Sequence, residues 1–142
     1  MDEHNVISRI KERFASEGDQ ALIPLIRGNR RGNRLFKAEL SKDGIYVDNL
    51  GVQPFLPLAV FIETVELLHK MGGRALKGNA MNYKLGSKGL PFDSAEGHIA
   101  HSIYGKKAGE SVFRRITPIA YILIWAGICC NDSGYLVLLD LS

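Results

Sequence analysis

The fold is decided by one stretch, SVFRRITPIAYILIWAGI, which runs from Ser111 to Ile128. Thr117 followed by Pro118 is typical of a helix start. A Thr side chain caps free N–H groups, and Pro has no donor to leave unpaired there. Gly127 is a typical helix stop, because glycine tolerates the positive φ that ends many helices. Apolar residues at helical spacing between these two signals predict a helix with a buried side.

The segments around this helix predict a recognisable order of elements. Residues 129–139 read as strand, polar turn, strand, which indicates a β-hairpin. Upstream, the apolar spacing predicts a core helix from about Pro57 to Met71, then a short strand. A further helix is expected after Asp93, with Asp93 as its cap and Glu96 reaching back. Helix, strand, helix, turn, helix and hairpin is the order of a winged helix-turn-helix, with three helices and a C-terminal β-hairpin wing.

The first third of the chain predicts one amphipathic helix and three strands in a small antiparallel sheet. The expected elements are a helix over 5–17 and strands over 21–26, 35–40 and 45–50. The sequence therefore predicts an α+β chain in two parts. Residues 1–54 would be an N-terminal helix and β-hairpin extension, and residues 55–142 the winged-helix domain.

A family resemblance rests on the stretch quoted first. The residues that carry it are Phe113, Arg115-Ile116, Ala120, Leu123 and Ala126-Gly127-Ile128. They resemble the winged-helix DNA-binding domain at the N-terminus of Mrr-type restriction endonucleases, where an aromatic–x–Arg–Ile run leads into a helix ending in Ala-Gly and an aliphatic residue. The resemblance covers roughly Phe61 to Leu139 and implies a DNA-reading domain. Pro118 and the apolar Ile119, Ile122 and Ile124 depart from the pattern, because they leave few polar side chains to face a groove.

The distribution of charge is more informative than the net charge of +3. Residues 1–20 carry a net charge of −2, residues 27–42 one of +5, and residues 70–115 one of +6. Clustered positive charge is what a phosphate-contacting surface needs. A solubilising surface gives the same pattern, so the charge alone leaves both interpretations open.

The favoured hypothesis is a protein that binds double-stranded DNA. Phosphates would be held by the basic lead-in, base edges approached by the start of the Thr117 helix, and the backbone contacted by the wing tip at residues 131–134. The segment Gly28–Arg34 is expected to be a loop that carries three arginines at its tip. The candidate DNA-binding residues are Lys106, Lys107, Ser111, Arg114, Arg115, Thr117, Tyr121, Arg30, Arg31, Arg34, Lys84 and Lys88.

The alternative hypothesis is a protein-interaction or dimerisation module on the same frame, without DNA binding. Its basis is the apolar surface from Ile119 to Trp125, which exceeds what one core face requires. A helix that is apolar all round is normally buried all round. Either the N-terminal sheet or a second copy of the chain would cover it, so a homo-oligomer stays open. Trp125 and Phe61 are expected to be largely buried against each other's helices.

No catalytic signature is found in the sequence. A Gly-x-Ser-x-Gly elbow, a phosphate loop and a dinucleotide fingerprint are all absent, and Glu39-Leu40-Ser41 ends in Ser where a nuclease needs Lys. We therefore expect no enzyme activity and no cofactor. His98 and His101 are three residues apart, but adjacent Cys129 and Cys130 would point to opposite faces of a strand, so no metal site is expected.

The sequence also indicates where the protein is found. No apolar run reaches the 18 or so residues of a membrane-spanning helix, and the acidic N-terminus lacks the apolar region of a signal peptide. Two adjacent cysteines do not make a disulfide framework. These features predict a cytoplasmic protein without a membrane partner.

Overall fold

A computed structural model describes the backbone of residues 3–27 and 30–139, and the side chains of residues 5–25 and 34–139. The chain is α+β, and its described residues form four helices and two small antiparallel sheets. The elements in order are α1 Glu3–Ala15, β1 Gln20–Arg27, β2 Arg30–Leu40, β3 Gly44–Val47, β4 Phe55–Pro57, α2 Leu58–Lys70, β5 Arg74–Leu76, α3 Ala95–Ser102, α4 Ile116–Trp125, β6 Cys129–Asp132 and β7 Tyr135–Leu138. Within these described ranges, no helix is both long enough and apolar enough to cross a membrane.

The first sheet has the strand order β1-β2-β3-β4, and each pair is antiparallel. Pro24 sits in the edge strand β1, and the register shifts between Pro24 and Ile26. Proline has no N–H to donate, which confines it to edge strands and irregular positions of this kind. Gly44 begins β3, and a Cβ there would collide with the carbonyl oxygen of Leu56 on β4. The glycine therefore allows a close approach of two strands.

The expected basic loop over Gly28–Arg34 is wrong for residues 30–34, which belong to β2, and its first two positions lie outside the described residues. Paired strands reach Arg27 on β1 and Arg30 on β2, so only residues 28 and 29 lie between them. Arg30 and Arg31 belong to β2, and their side chains lie outside the described residues. Arg34 is exposed on the same strand.

The second sheet has the strand order β5-β7-β6. Its hairpin turns at Ser133 and Gly134, which both have positive φ, 35° and 86°. A two-residue turn with this geometry matches the twist of the flanking strands. The strand, polar turn and strand predicted at the C-terminus are therefore confirmed. The helices of this half run in the order α2, α3, α4, with β5 between α2 and α3.

One hydrophobic core joins both halves of the chain. Ile119, Ile122 and Leu123 on α4 are completely buried. The side of α4 away from the second sheet is covered by α1 and β1, both of which contact it. The apolar surface of α4 is therefore core, and the N-terminal extension is what covers it.

Trp125 is the residue of α4 through which α1 makes its aromatic contact. Its ring packs edge-on against Phe14 of α1, with ring centroids 4.8 Å apart. The Arg13 guanidinium lies 4.3 Å from the centroid of the Trp125 ring, and Arg13 Nε donates to the Trp125 carbonyl at 3.3 Å. Phe61 is fully buried as expected, but Trp125 is only partly buried and its aromatic partner is on α1.

Phe14→Ala tests whether α1 is part of the core. Phe14 is fully buried beneath Trp125, so its truncation leaves a cavity and should lower the free energy of unfolding by about 3–5 kcal/mol. Urea denaturation measures this loss. Val52→Ala is the control, because Val52 is 91% exposed and its truncation should change stability by about 0.5 kcal/mol or less. Equal losses in the two variants would show that α1 does not contribute to the core.

Candidate nucleic-acid interface

The start of α4 is capped by a residue from another helix. Glu96, in the first turn of α3, is 1% exposed, and its Oε1 accepts hydrogen bonds from the N–H groups of Arg115 at 2.9 Å and Ile116 at 3.2 Å. These N–H groups have no partner within their own helix. The carboxyl group also lies at the positive end of the α4 dipole. Glu96 therefore fixes the start of α4 against α3.

This arrangement corrects two expected caps. Ser94 caps α3, since its Oγ accepts from Gly97 N at 3.1 Å, where Asp93 was expected. The N-cap of α4 is Arg115, which makes no side-chain cap hydrogen bond, where Thr117 was expected. Glu96 supplies the acceptor from elsewhere in the chain, so α4 begins before Thr117. Gly127, with φ of 77°, ends α4 as predicted.

Arg115 is part of the protein interior. Its side chain is almost fully buried, and its guanidinium lies 3.6 Å from the centroid of the Tyr104 ring. It also donates to Gln53 Oε1 and to the Phe113 carbonyl. A side chain engaged in this way cannot read a base, so the expectation that Arg115 contacts DNA is wrong. Arg115 instead holds the segment between α3 and α4 against the loop that joins β3 to β4.

The burial of Glu96 changes its acidity. Burial raises the pKa of Glu96 from its ordinary 4.5 to about 7, although the two N–H donors and the Arg115 and Arg114 charges act in the opposite direction. The carboxyl group accordingly keeps its proton in the folded protein at pH values where it is ionised in the unfolded chain.

A cavity of about 630 Å³ opens along the half-exposed side of α4, and we call it the α4 groove. It is bounded by α4, by the segment after β5 and by the tip of the β6–β7 hairpin. Three cationic side chains line it, and no carboxylate among the described residues does. The lining residues are Leu76, Lys77, Gly78, Asn79, Met81, Asn82, Tyr83, Lys88, Gly89, Arg114, Ile116, Thr117, Ala120, Tyr121 and Gly134.

The wall of the groove opposite α4 is held in place by its own contacts. Asn79 N donates to the Gly89 carbonyl at 2.9 Å, which joins the two ends of this loop. Leu85 N donates to the Glu110 carbonyl, and Gly109 N donates to the Leu85 carbonyl. A second, smaller hydrophobic cluster of Leu85, Leu90, Ala100 and Val112 lies beneath it. The groove therefore has two fixed walls.

Lys77 is the most enclosed cation of the α4 groove. Its ammonium donates to the Asn131 side-chain carbonyl and lies 5.4 Å from the centroid of the Tyr121 ring. Burial lowers the pKa of Lys77, because a charge is costly where water is scarce. Sequence reasoning did not single out Lys77. Lys77 directly follows β5, which pairs with β7 of the C-terminal hairpin. The sequence does not show this pairing, so it could not place Lys77 beside the hairpin.

The structure brings some of the predicted residues together and separates others. Arg114, Thr117, Tyr121 and Lys88 line the α4 groove. Four more lie near it on the surface of the paired 84–90 and 105–112 segments: Lys84, Lys107 and Ser111, which are exposed, and Lys106, which is half-buried. Arg34 lies in the first sheet and does not line the groove.

The histidines and cysteines are engaged elsewhere. His98 Nε2 lies 3.7 Å from Glu63 Oε1, and His101 Nδ1 is hydrogen-bonded with the Lys106 carbonyl at 3.0 Å. Burial raises the pKa of Cys129 to about 12, which keeps its thiol protonated. Across the part of the chain that the structure describes, no three His, Cys, Asp or Glu side chains are grouped closely enough to hold a metal ion.

We found no family model, no curated protein and no solved structure that matches this chain. The resemblance to the Mrr-type winged-helix domain therefore remains a hypothesis based on residues 113–128.

Glu96→Gln tests the acidity of the buried cap. In the unfolded chain Glu96 ionises near pH 4.5, whereas in the folded protein it keeps its proton to about pH 7. The stabilisation from this difference is complete below pH 4.5 and is lost as the pH rises through 7, by up to roughly 3 kcal/mol. Glutamine keeps a carbonyl acceptor for the two N–H groups but does not titrate. The stability of the wild type relative to Glu96→Gln should therefore fall between pH 5 and pH 8.

Urea unfolding of both proteins at pH 5, 6, 7 and 8 measures this difference directly, and the wild type's other titrating groups cancel in the comparison. A difference that stays constant over this range would show that Glu96 is already ionised in the folded protein at pH 5.

Proposed function

We propose that this protein binds double-stranded DNA through the α4 groove and the basic loops beside it. The observation that carries the proposal is the convergence of Lys77, Lys88 and Arg114 on the exposed side of one helix, with no carboxylate among the described lining residues. These side chains come from separate parts of the chain, and only the fold brings them together. A surface of this kind attracts phosphate, and phosphate contacts supply most non-specific affinity for DNA.

The order of the elements supports the assignment of α4 as a recognition helix. The second half of the chain runs α2, β5, α3, α4, β6, β7, and its sheet has the order β5-β7-β6. This is the order of a winged helix, in which the third helix enters the DNA groove and the hairpin is the wing. The resemblance of residues 113–128 to the Mrr-type domain agrees with this proposal.

The exposed side of α4 limits how it reads DNA. Its half-exposed residues facing the groove are Thr117 and Tyr121, four positions apart on one side of the helix. Two polar side chains offer few hydrogen bonds to base edges. Phosphate contacts position a protein without reading sequence. We therefore expect affinity for duplex DNA with weak sequence preference.

The structure gives less support to the alternative function, a protein-interaction module without DNA binding. It rested on the apolar surface of α4 from Ile119 to Trp125. In the structure α1 and β1 cover that surface, and Ile119 and Ile122 are completely buried. The apolar side of α4 is used within the chain itself.

Arg114→Ala combined with Lys88→Ala tests the DNA-binding surface. Each lost phosphate contact should reduce the slope of log affinity against log salt by about 0.9. The double variant should therefore bind duplexes of every sequence more weakly and show a slope smaller by nearly 2 if each residue contacts one phosphate. Fluorescence anisotropy with a random-sequence duplex at several salt concentrations measures both quantities.

The matched control is Lys11→Ala combined with Lys42→Ala. It removes the same charge from two exposed positions on α1 and on the β2–β3 turn, away from the groove lining. Its salt slope should stay close to that of the wild type. Equal effects in the two double variants would mean that only total charge matters. Absence of wild-type DNA affinity at low salt would refute the proposed function.

A further inference from the structure

The α4 groove contains more than phosphate contacts require. Beside its three cations it is lined by two tyrosines, Tyr83 and Tyr121, and by two asparagines, Asn79 and Asn82. A volume of about 630 Å³ is far larger than one phosphate group needs. Aromatic faces, amides and cations in one cavity are suited to a ligand that has a flat ring, hydrogen-bonding edges and a negative charge.

Tyr83 is held in place at one wall of this cavity. Its ring lies directly against Gly89, where a Cβ would collide with the ring atoms. Gly89 is fixed in turn by the hydrogen bond from Asn79 N, and Tyr83 N donates to the Asn79 carbonyl at 3.2 Å. Tyr83 is nevertheless 37% exposed. An aromatic face is thus positioned on the groove before any ligand arrives, which reduces the entropy cost of binding.

The three cations of the groove come from both of its walls. Arg114 is exposed immediately before the N-cap of α4, and Lys77 is half-buried beside Tyr121. Lys88 belongs to the same loop as Tyr83. A ligand in the groove therefore meets aromatic rings and positive charge together.

We infer that the α4 groove takes up a single nucleotide unit, with its base against Tyr83 and its phosphate near Lys77, Lys88 and Arg114. Proteins that bind unstacked nucleotides combine aromatic rings for the bases with cations for the backbone. The inference rests on the proposed function and specifies its ligand. The same chemistry is offered by a base turned out of a duplex and by a free mononucleotide.

The inference predicts a preference among DNA molecules. A paired base must be unstacked and unpaired before it enters a cavity, and this cost is smallest for a base that has no partner. A duplex with one unpaired adenine should therefore bind about tenfold more tightly than the fully paired duplex, or better. The paired duplex should still bind through the phosphate contacts at the rim.

The experiment compares both duplexes by fluorescence anisotropy in the wild type, Tyr83→Ala, Gly89→Ala and Tyr46→Ala. Tyr83→Ala removes the ring, and Gly89→Ala displaces it with a Cβ. Tyr46→Ala is the matched control, because Tyr46 is a 49% exposed tyrosine on the first sheet. In a separate arm, dAMP is titrated into each protein and its binding measured by calorimetry.

The expected result is a preference of about tenfold in the wild type and in Tyr46→Ala that is lost in Tyr83→Ala and Gly89→Ala, with paired-duplex affinity unchanged. Equal affinity for both duplexes, together with no dAMP binding, would overturn the inference while leaving the proposed function intact. Tyr83-dependent dAMP binding without any duplex binding would support the nucleotide site with a free nucleotide as its ligand, and would refute duplex binding. Absence of both would refute both proposals.

Discussion

The structure of the groove depends on one interaction, the hydrogen bonds from the N–H groups of Arg115 and Ile116 to the buried Glu96 carboxyl group. Because Glu96 belongs to α3, the start of α4 cannot move without α3. The same bonds fix the orientation of two adjacent arginines. Arg115 is turned into the protein, onto Tyr104, while Arg114 is left exposed at the groove. Two neighbouring arginines thus differ in position, since one is part of the interior and the other lines the groove.

Removing the Glu96 carboxyl group from water costs free energy, and the nearby Arg115 charge offsets part of that cost. A carboxyl group removed from water is destabilised unless donors and positive charge compensate. Two N–H donors, the helix dipole and the Arg115 guanidinium act in that direction, yet burial dominates and raises the pKa of Glu96. The guanidinium is itself buried, and it is stabilised by the Tyr104 ring and by Gln53. One connected set of contacts therefore holds α3, α4 and the loop between β3 and β4 together.

Local sequence signals predicted most of the helices and strands, but not the contacts between them. The α2 helix, the C-terminal hairpin and the Gly127 stop were all correctly predicted, because each depends on residues within a few positions of one another. The strand β4 depends on a partner in another strand, β3. The cap of α4 comes from a residue nineteen positions before its first donor. The α4 groove was not predicted as a unit either, since Lys77 and Arg114 are neighbours only after folding.

The elements α1 and β1 help to determine which side of α4 stays exposed. A helix as apolar as ITPIAYILIW has only a narrow polar side, at Thr117 and Tyr121, so the rest of it must be covered. The second sheet and α2 contact it, and so do α1 and β1, with Trp125 packed against Phe14 and Arg13. What stays half-exposed toward the groove is the Thr117 and Tyr121 side. This side faces Lys77, Lys88 and the Tyr83 wall, so the packing that stabilises α4 also restricts its contacts to that cavity.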